Sequence, residues 1–296
     1  MTDWQIAPRV MTGPPEGGAV LRGAIASLRK RGITGDLDPV ALLRPGVMLD
    51  AARIHAYAQV CGFGERGGVP LTYPHLLAFP LHMAALLAPS FPFPAIGLVH
   101  LENTIVQHAK LDSGDRLDVM AGFGAWITHE KGQAFTVESR IARAGQIVWE
   151  SASLYLRLGV DAPKGAPYQG LPADELPLAT IRRFDLPANL GRRYARVSGD
   201  SNPIHTSAIA ARMFGFPRPI AHGMWTKAHA LAQLLPDEPI EHAEVRVAFK
   251  TPAFLPGGAC LMVAPDSSPL VFELRDRREQ KPHLRGLLKD VRYVDR

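Results

Sequence analysis

Two cysteines among 296 residues, Cys61 and Cys260, are too few and too far apart for a disulfide framework, and a reducing cytoplasm is the expected compartment. Long hydrophobic runs are missing as well. The best candidate span, Leu76 to Pro89, is shorter than the ~20 residues a bilayer core requires, and it carries Pro80 and His82. It reads as a buried helix, so no membrane span is expected. The opening Met1-Thr2-Asp3-Trp4 shows no basic stretch followed by an apolar one, and no targeting segment is expected. Charge of one sign is scarce too: 33 basic residues against 28 acidic ones leave +5. That balance suits an anionic handle on a small molecule but is too diffuse to indicate nucleic acid.

Several catalytic signatures are also lacking. Gly62-Phe63-Gly64 has neither the third glycine nor the following helix of a phosphate-binding loop. No G-x-S-x-G elbow occurs. Of the eleven histidines, His75/His82 and His222/His229 stand seven apart, and no dense His/Cys/Asp/Glu set completes a tetrahedral site, so no metal is expected.

What remains is a chain with 47% hydrophobic and 21% charged residues, long enough for one large domain or two of ordinary size. Its halves resemble each other. Tyr57-Ala58-Gln59-Val60-Cys61-Gly62-Phe63 aligns with Tyr194-Ala195-Arg196-Val197-Ser198-Gly199-Asp200, an offset of 194 − 57 = 137. Further on, His75, His82 and Pro89 align with His222, His229 and Pro236, an offset of 222 − 75 = 147. The ten additional residues fall between Asp200 and His222, where the polar residues of the second copy are concentrated. In each half an apolar helix closed by its proline is followed by strand-like segments. These are Ile96–Ala109, Leu117–Ile127, Ala134–Ala142 and Ile147–Leu158 in the first half. Ala243–Pro252, Cys260–Ala264, Leu270–Asp276 and Leu284–Tyr293 follow in the second. A helix followed by a meander, twice over, predicts an α+β architecture with an antiparallel sheet wrapped around a helix in each half.

The division expected from this pattern is an N-terminal extension over 1–45, a first repeat over 46–160, a Pro/Gly/Ala-rich linker over 161–177 and a second repeat over 178–296. Within the extension, Ala19–Gly32 predicts a short basic helix with Arg22, Arg29, Lys30 and Arg31. A solvated surface helix accounts for those charges better than a phosphate site does.

The segment Ser198-Gly199-Asp200-Ser201-Asn202-Pro203-Ile204-His205 is the most informative. Asn202 before Pro203 predicts a helix start, with the helix running to about Phe214 and stopping at Gly215. His205 then lies in the first turn and Asp200 just before the cap, where free N–H groups favour the carboxylate anion. Turn and cap chemistry alone would explain each of these residues. Two features favour a functional site instead. Pro219-Ile220-Ala221-His222-Gly223-Met224 opens the apolar helix with a glycine whose N–H is unpaired within the helix and can polarise a carbonyl. The first repeat, moreover, has Phe63 for Asp200 and Leu76 for Gly223, and lacks the His-bearing insertion.

The run from Tyr194 to His205, with Ala211 six residues on, resembles the signature of the MaoC-like, type-2 enoyl-CoA hydratases, and Ile220 to Met224 resembles that family's second block. The resemblance implies a double hot dog fold whose first repeat is degenerate and helps house the acyl chain. It implies reversible hydration of trans-2-enoyl thioesters to (R)-3-hydroxyacyl thioesters. Asp200 and His205 would hold and activate water, one accepting its proton and the other delivering a proton at Cα, and Gly223 would supply the oxyanion N–H. Asn202, His222 and Met224 would form the substrate surround, with Asn202 bracing the turn. Leu231 stands where some relatives carry a polar residue. The implied substrate rides on coenzyme A or acyl carrier protein, and no further cofactor is implied. A medium or bulky acyl chain is expected, and a homodimer is compatible with these residues without being fixed by them. A non-catalytic acyl-thioester scaffold and a hot dog thioesterase are the alternative readings.

Overall fold

The computed structural model describes residues 7–13, 22, 23, 26, 27, 30, 37 and 41–294, apart from 173–175. The basic helix expected over Ala19–Gly32 lies largely outside the described residues. In chain order the elements are β1 (Arg9–Val10), β2 (Ala41–Met48), α1 (Ala51–Cys61), α2 (Pro74–Leu87), β3 (Val99–Gln107), β4 (Arg116–His129), β5 (Gly132–Arg143) and β6 (Gln146–Leu158). They continue as β7 (Ala166–Pro167), β8 (Ala179–Leu186), α3 (Leu190–Ser198), α4 (Pro203–Thr206), α5 (Ala208–Met213), α6 (Gly223–Leu234), β9 (Ile240–Phe249), β10 (Gly257–Ala264), β11 (Leu270–Asp276) and β12 (Pro282–Tyr293).

Two compact units emerge. One comprises Met1–Met48, Pro74–Thr104 and Asp115–Gly170, and the other Leu49–Tyr73, Ile105–Gly114 and Leu171–Arg296. In the first, strands run in the order β1-β2-β4-β5-β6 with β3 beyond β6, and β7 lies along β4. Helix α2 buries His75, Ala78, Leu81, His82 and Ala85. The aromatic rings of Phe91, Phe123 and Phe135 meet at 5.1–6.0 Å between centroids, a spacing at which ring quadrupoles attract. Several polar groups inside this core are paired. The Asn103 amide donates to Ser151 and Ser153 at 2.9 and 3.1 Å, and His82 Nε2 lies 2.7 Å from Ser139 Oγ. Burial pushes the His82 imidazole down to about 3, because no charged partner offsets the loss of hydration.

The second unit carries the antiparallel sheet β9-β12-β11-β10-β8, over which α6 buries Met224, Trp225, Ala228, Ala230 and Leu231. Strand β9 alternates, with Ala243, Val245 and Val247 fully buried, whereas β10 and β11 are buried in continuous runs; Phe272, Leu274 and Leu284 are fully buried as well. Helices α1 and α3 pack within the same unit and end alike. Gly62 and Gly199 each adopt left-handed backbone, φ 87° and 77°, and their N–H groups donate to Ala58 and Ala195, the open C-terminal carbonyls being closed as a left-handed cap does. These two caps stand 137 residues apart, the offset of the repeated Tyr-Ala segment. Two remaining carbonyls of α1 are closed from α6: Trp225 Nε1 donates to Val60 at 2.9 Å and His229 Nδ1 lies 2.9 Å from Cys61 O.

The single helix expected from Pro203 to about Phe214 is two helices. Ser207 takes an extended conformation, φ −130° and ψ 126°, ends α4 and caps α5 through its hydroxyl, which accepts from Ala210 N–H. The strand pattern of both halves matches the expected segments, and four further strands lie outside that expectation: β2 and β8, which precede the helices, and the two-residue β1 and β7.

Candidate active site

The local chemistry of the chain folds the polar segment into a tight series of turns. Gly199 reverses the backbone after α3, and the Ser198 hydroxyl accepts the N–H of Asp200 at 3.1 Å. Asp200 Oδ1 then accepts the N–H of Asn202 at 3.1 Å, and Asn202 Oδ1 accepts that of Ile204 at 3.3 Å. Successive side chains thus satisfy backbone donors that no regular element pairs. Pro203 follows at the first helical position, where its missing N–H costs nothing. Asn202 is exposed and braces this turn.

A second segment meets the first. Ala221 N–H donates to Ala253 O and Leu255 N–H to Pro219 O, both at 2.8 Å, tying 219–221 to the stretch after β9. Ile220 N–H donates to Ile204 O at 3.2 Å, and Ile220 O lies 2.8 Å from His205 Nδ1. A carbonyl can only accept, so Nδ1 of His205 carries the proton and Nε2 presents a lone pair. The same reasoning applies to His222, whose Nε2 lies 3.0 Å from the backbone carbonyl of Asp200. Its Nδ1 is buried without a hydrogen-bond partner. The two imidazoles stack, centroids 3.7 Å apart, and Tyr194 of α3 closes on His222 at 4.9 Å.

Burial sets the electrostatics of the pair. Loss of hydration lowers the His205 imidazole from its ordinary value, opposed by the nearby Asp200 charge and by the bond to Ile220. His222 is pushed down to about 4 by burial and by His205, again opposed by Asp200. Both rings are therefore neutral near pH 7, the state in which a histidine nitrogen accepts a proton. Asp200 keeps 31% of its side chain exposed, with Oδ2 3.9 Å from His222 Nε2.

Asp200, His205 and His222 each bring one ligand-type atom within 4.8 Å of the others. Oxygen and two imidazoles in that arrangement could hold a divalent ion. Sequence spacing concealed the set, because His222 reaches it from 22 residues beyond Asp200.

Gly223 is the first residue of α6, directly after His222, so its N–H has no intrahelical acceptor. Phe249 explains the glycine: a Cβ at Gly223 would stand 3.1 Å from two atoms of that ring. Met224 is buried in the same turn. The fold thus gathers Asp200, His205 and His222, and places Gly223 and Met224 in the helix turn that His222 caps. Asn202 stays on the outer side of its turn.

Sequence reasoning passed over one supporting residue, Gly191 in the first turn of α3. A Cβ there would fall onto the carbonyl oxygen of His205, so only glycine lets α3 approach the His205 backbone this closely. The available signal was a glycine inside an otherwise well-formed helix, which is costly unless something packs against it.

Residues 176–256 match the family model for the MaoC-like domain. The chain is 33% identical to 3-hydroxyacyl-thioester dehydratase X of Mycobacterium tuberculosis over 284 residues, spanning 95% of this chain and 100% of the relative. The crystal structure of HtdX from Mycobacterium tuberculosis superposes with a TM-score of 0.73 at 31% identity, over 84% of this chain and 99% of that one. A further Mycobacterium tuberculosis protein, described as having a double hot dog fold, gives a TM-score of 0.52 at 13% identity, over 82% and 92% of the two chains. The α+β architecture is the double hot dog. With similarity along nearly its whole length to a dehydratase, the chain belongs to the MaoC-like family of hydratases and dehydratases and is an enzyme of the hydro-lyase class.

Proposed function

We propose that the protein catalyses reversible addition of water across the trans-2 double bond of enoyl thioesters, giving (R)-3-hydroxyacyl thioesters, or runs the reverse dehydration. The observation that carries this reading is the convergence of Asp200 and His205 beside the open N-terminus of α6. Water is held between the carboxylate and the lone pair on His205 Nε2. As its oxygen bonds to Cβ of the enoyl group, Nε2 takes one of its protons, and Asp200 stabilises the imidazolium that forms. Charge moves onto the thioester oxygen, where the Gly223 N–H and the positive end of α6 stabilise it. Collapse of the enolate takes that proton from the His205 imidazolium onto Cα, which leaves the imidazole neutral again. The sum is one H and one OH from a single water, so the pair leaves each cycle as it entered.

His222 and Met224 form part of the substrate surround, His222 by fixing the loop through its bond to Asp200 O and Met224 by lining the first turn of α6. This chemistry asks for no metal or redox cofactor beyond the carrier of the acyl group. The experiment is incubation with trans-2-octenoyl-CoA, following loss of the enoyl absorbance together with free thiol. Loss of absorbance without thiol release supports hydration; thiol release with the double bond intact makes the protein a thioesterase.

A further inference from the structure

The helix that follows the His205 turn carries apolar side chains facing water. In α5, Ile209 is 74% exposed and Met213, one turn on, 81%, while Phe214 at its end is 43% exposed. Such side chains are unremarkable singly, but Ile209 and Met213, four residues apart, lie on one helix face and form an apolar patch, with Phe214 at the end of the helix. Around it the chain is one-sidedly basic. Between Pro187 and His222 there are five arginines and no lysine, against one carboxylate, Asp200. Arg192 of α3 donates to the carbonyl of Thr206, two residues before α5 begins. Arg212 lies on α5, and Arg218 is held by Pro256 O and by the face of Phe254. All three remain exposed.

We infer that this face docks an acidic acyl carrier protein, so that the enoyl group reaches Asp200 and His205 from a protein-borne arm. The inference rests on the proposed hydratase reading and names its partner. Charge complementarity selects the occupant. A free coenzyme A nucleotide would meet the arginines yet leave Ile209 and Met213 in water. A carrier helix with apolar residues flanked by carboxylates covers both. A two-fold contact with a second copy of this chain would set arginine against arginine. A lipid surface gives no reason for the patch to adjoin the His205 turn, whereas delivery of a tethered acyl group does.

Titration calorimetry with a purified type II acyl carrier protein bearing an octanoyl arm tests this. The wild type should bind, with affinity falling as salt rises. Ile209→Glu combined with Met213→Glu should weaken binding at least about tenfold, and Arg212→Glu alone should weaken it in the same direction. Turnover of octenoyl-CoA should stay within about twofold, as expected of exposed substitutions. No binding by the wild type, or equal binding by the variants, overturns the docking surface. So does carrier binding unaffected by the substitutions while cosedimentation with anionic phospholipid vesicles, or a dimer in sedimentation equilibrium, is lost. Carrier binding without any hydration by the wild type counts against the hydratase reading and leaves the docking surface standing.

Discussion

Replacing Asp200 with Asn removes one negative charge and keeps the shape. The amide oxygen of Asn can accept the Asn202 N–H that Asp200 Oδ1 now accepts at 3.1 Å, and the backbone carbonyl that receives His222 Nε2 is untouched. The turn should therefore hold, with stability changed by no more than about 1 kcal/mol. Catalysis should not survive intact. Without the charge that holds the water and stabilises the His205 imidazolium, His205 should lose much of the ~10²–10⁴ in rate that acid-base catalysis supplies, up to about 3–5 kcal/mol of barrier at 1.36 kcal/mol per tenfold. A second consequence separates charge from shape: Asp200 raises the His205 imidazole against the effect of burial, so removing the charge should move the His205 titration to lower pH. The assay is kcat/KM for octenoyl-CoA hydration, paired with a thermal melt and an NMR titration of the His205 ring. A folded variant within about threefold of wild-type kcat/KM, less than one such group is worth, would refute the assignment of Asp200. Collapse of the melt would refute the claim that the turn survives.

Further expectations follow from the same geometry. The acid limb of kcat/KM should lie below pH 6.5, because burial lowers His205 and its neutral form accepts the proton; a limb above that value would contradict the base assignment. His82 and His222, lowered to about 3 and about 4, are neutral when folded and take up protons once unfolded. Stability should be steady above pH 6.5 and should fall by several kcal/mol as pH drops from there toward 4, as urea unfolding at stepped pH would show. Gly223→Ala should gain about 1 kcal/mol of helix propensity but crowd Phe249, losing up to ~10²-fold in kcat if the α6 amide is displaced; unaltered kcat would remove that amide from the oxyanion role. Gly191→Ala should cost both stability and activity, since its Cβ has nowhere to go but into the His205 backbone. Dialysis against a chelator should leave turnover unchanged, and loss restored by a divalent ion would make Asp200, His205 and His222 a metal site.

Much of this arrangement was legible in the residues themselves. The left-handed caps at Gly62 and Gly199 follow from glycine's freedom at positive φ, and their common spacing preserves the repeat. The meanders after α2 and α6 were readable because alternating or continuous apolar runs report burial directly. Strand β8 was hidden by its own exposure: Arg182, Arg183 and Asp185 break the alternation on a strand paired on one side by β10. In β2, Pro45 and Gly46 read as a turn, and they sit where the register against β4 shifts between Arg44 and Val47. The break at Ser207 escaped because no glycine or proline marks it. A serine hydroxyl capping Ala210 competes with the helix, and only the packing decides which wins. The His205–His222 stack was invisible for a different reason: it depends on Ile220 being tied beside Ile204, a contact between backbone groups that carry no sequence signal.

The most direct test of the central claim is chiral analysis of the product formed from trans-2-octenoyl-CoA by the purified protein. The proposed hydratase reading, with the stereochemistry that the resemblance to the type-2 hydratases implies, predicts (R)-3-hydroxyoctanoyl-CoA. An (S) product, a racemate or an unreacted enoyl group would contradict it.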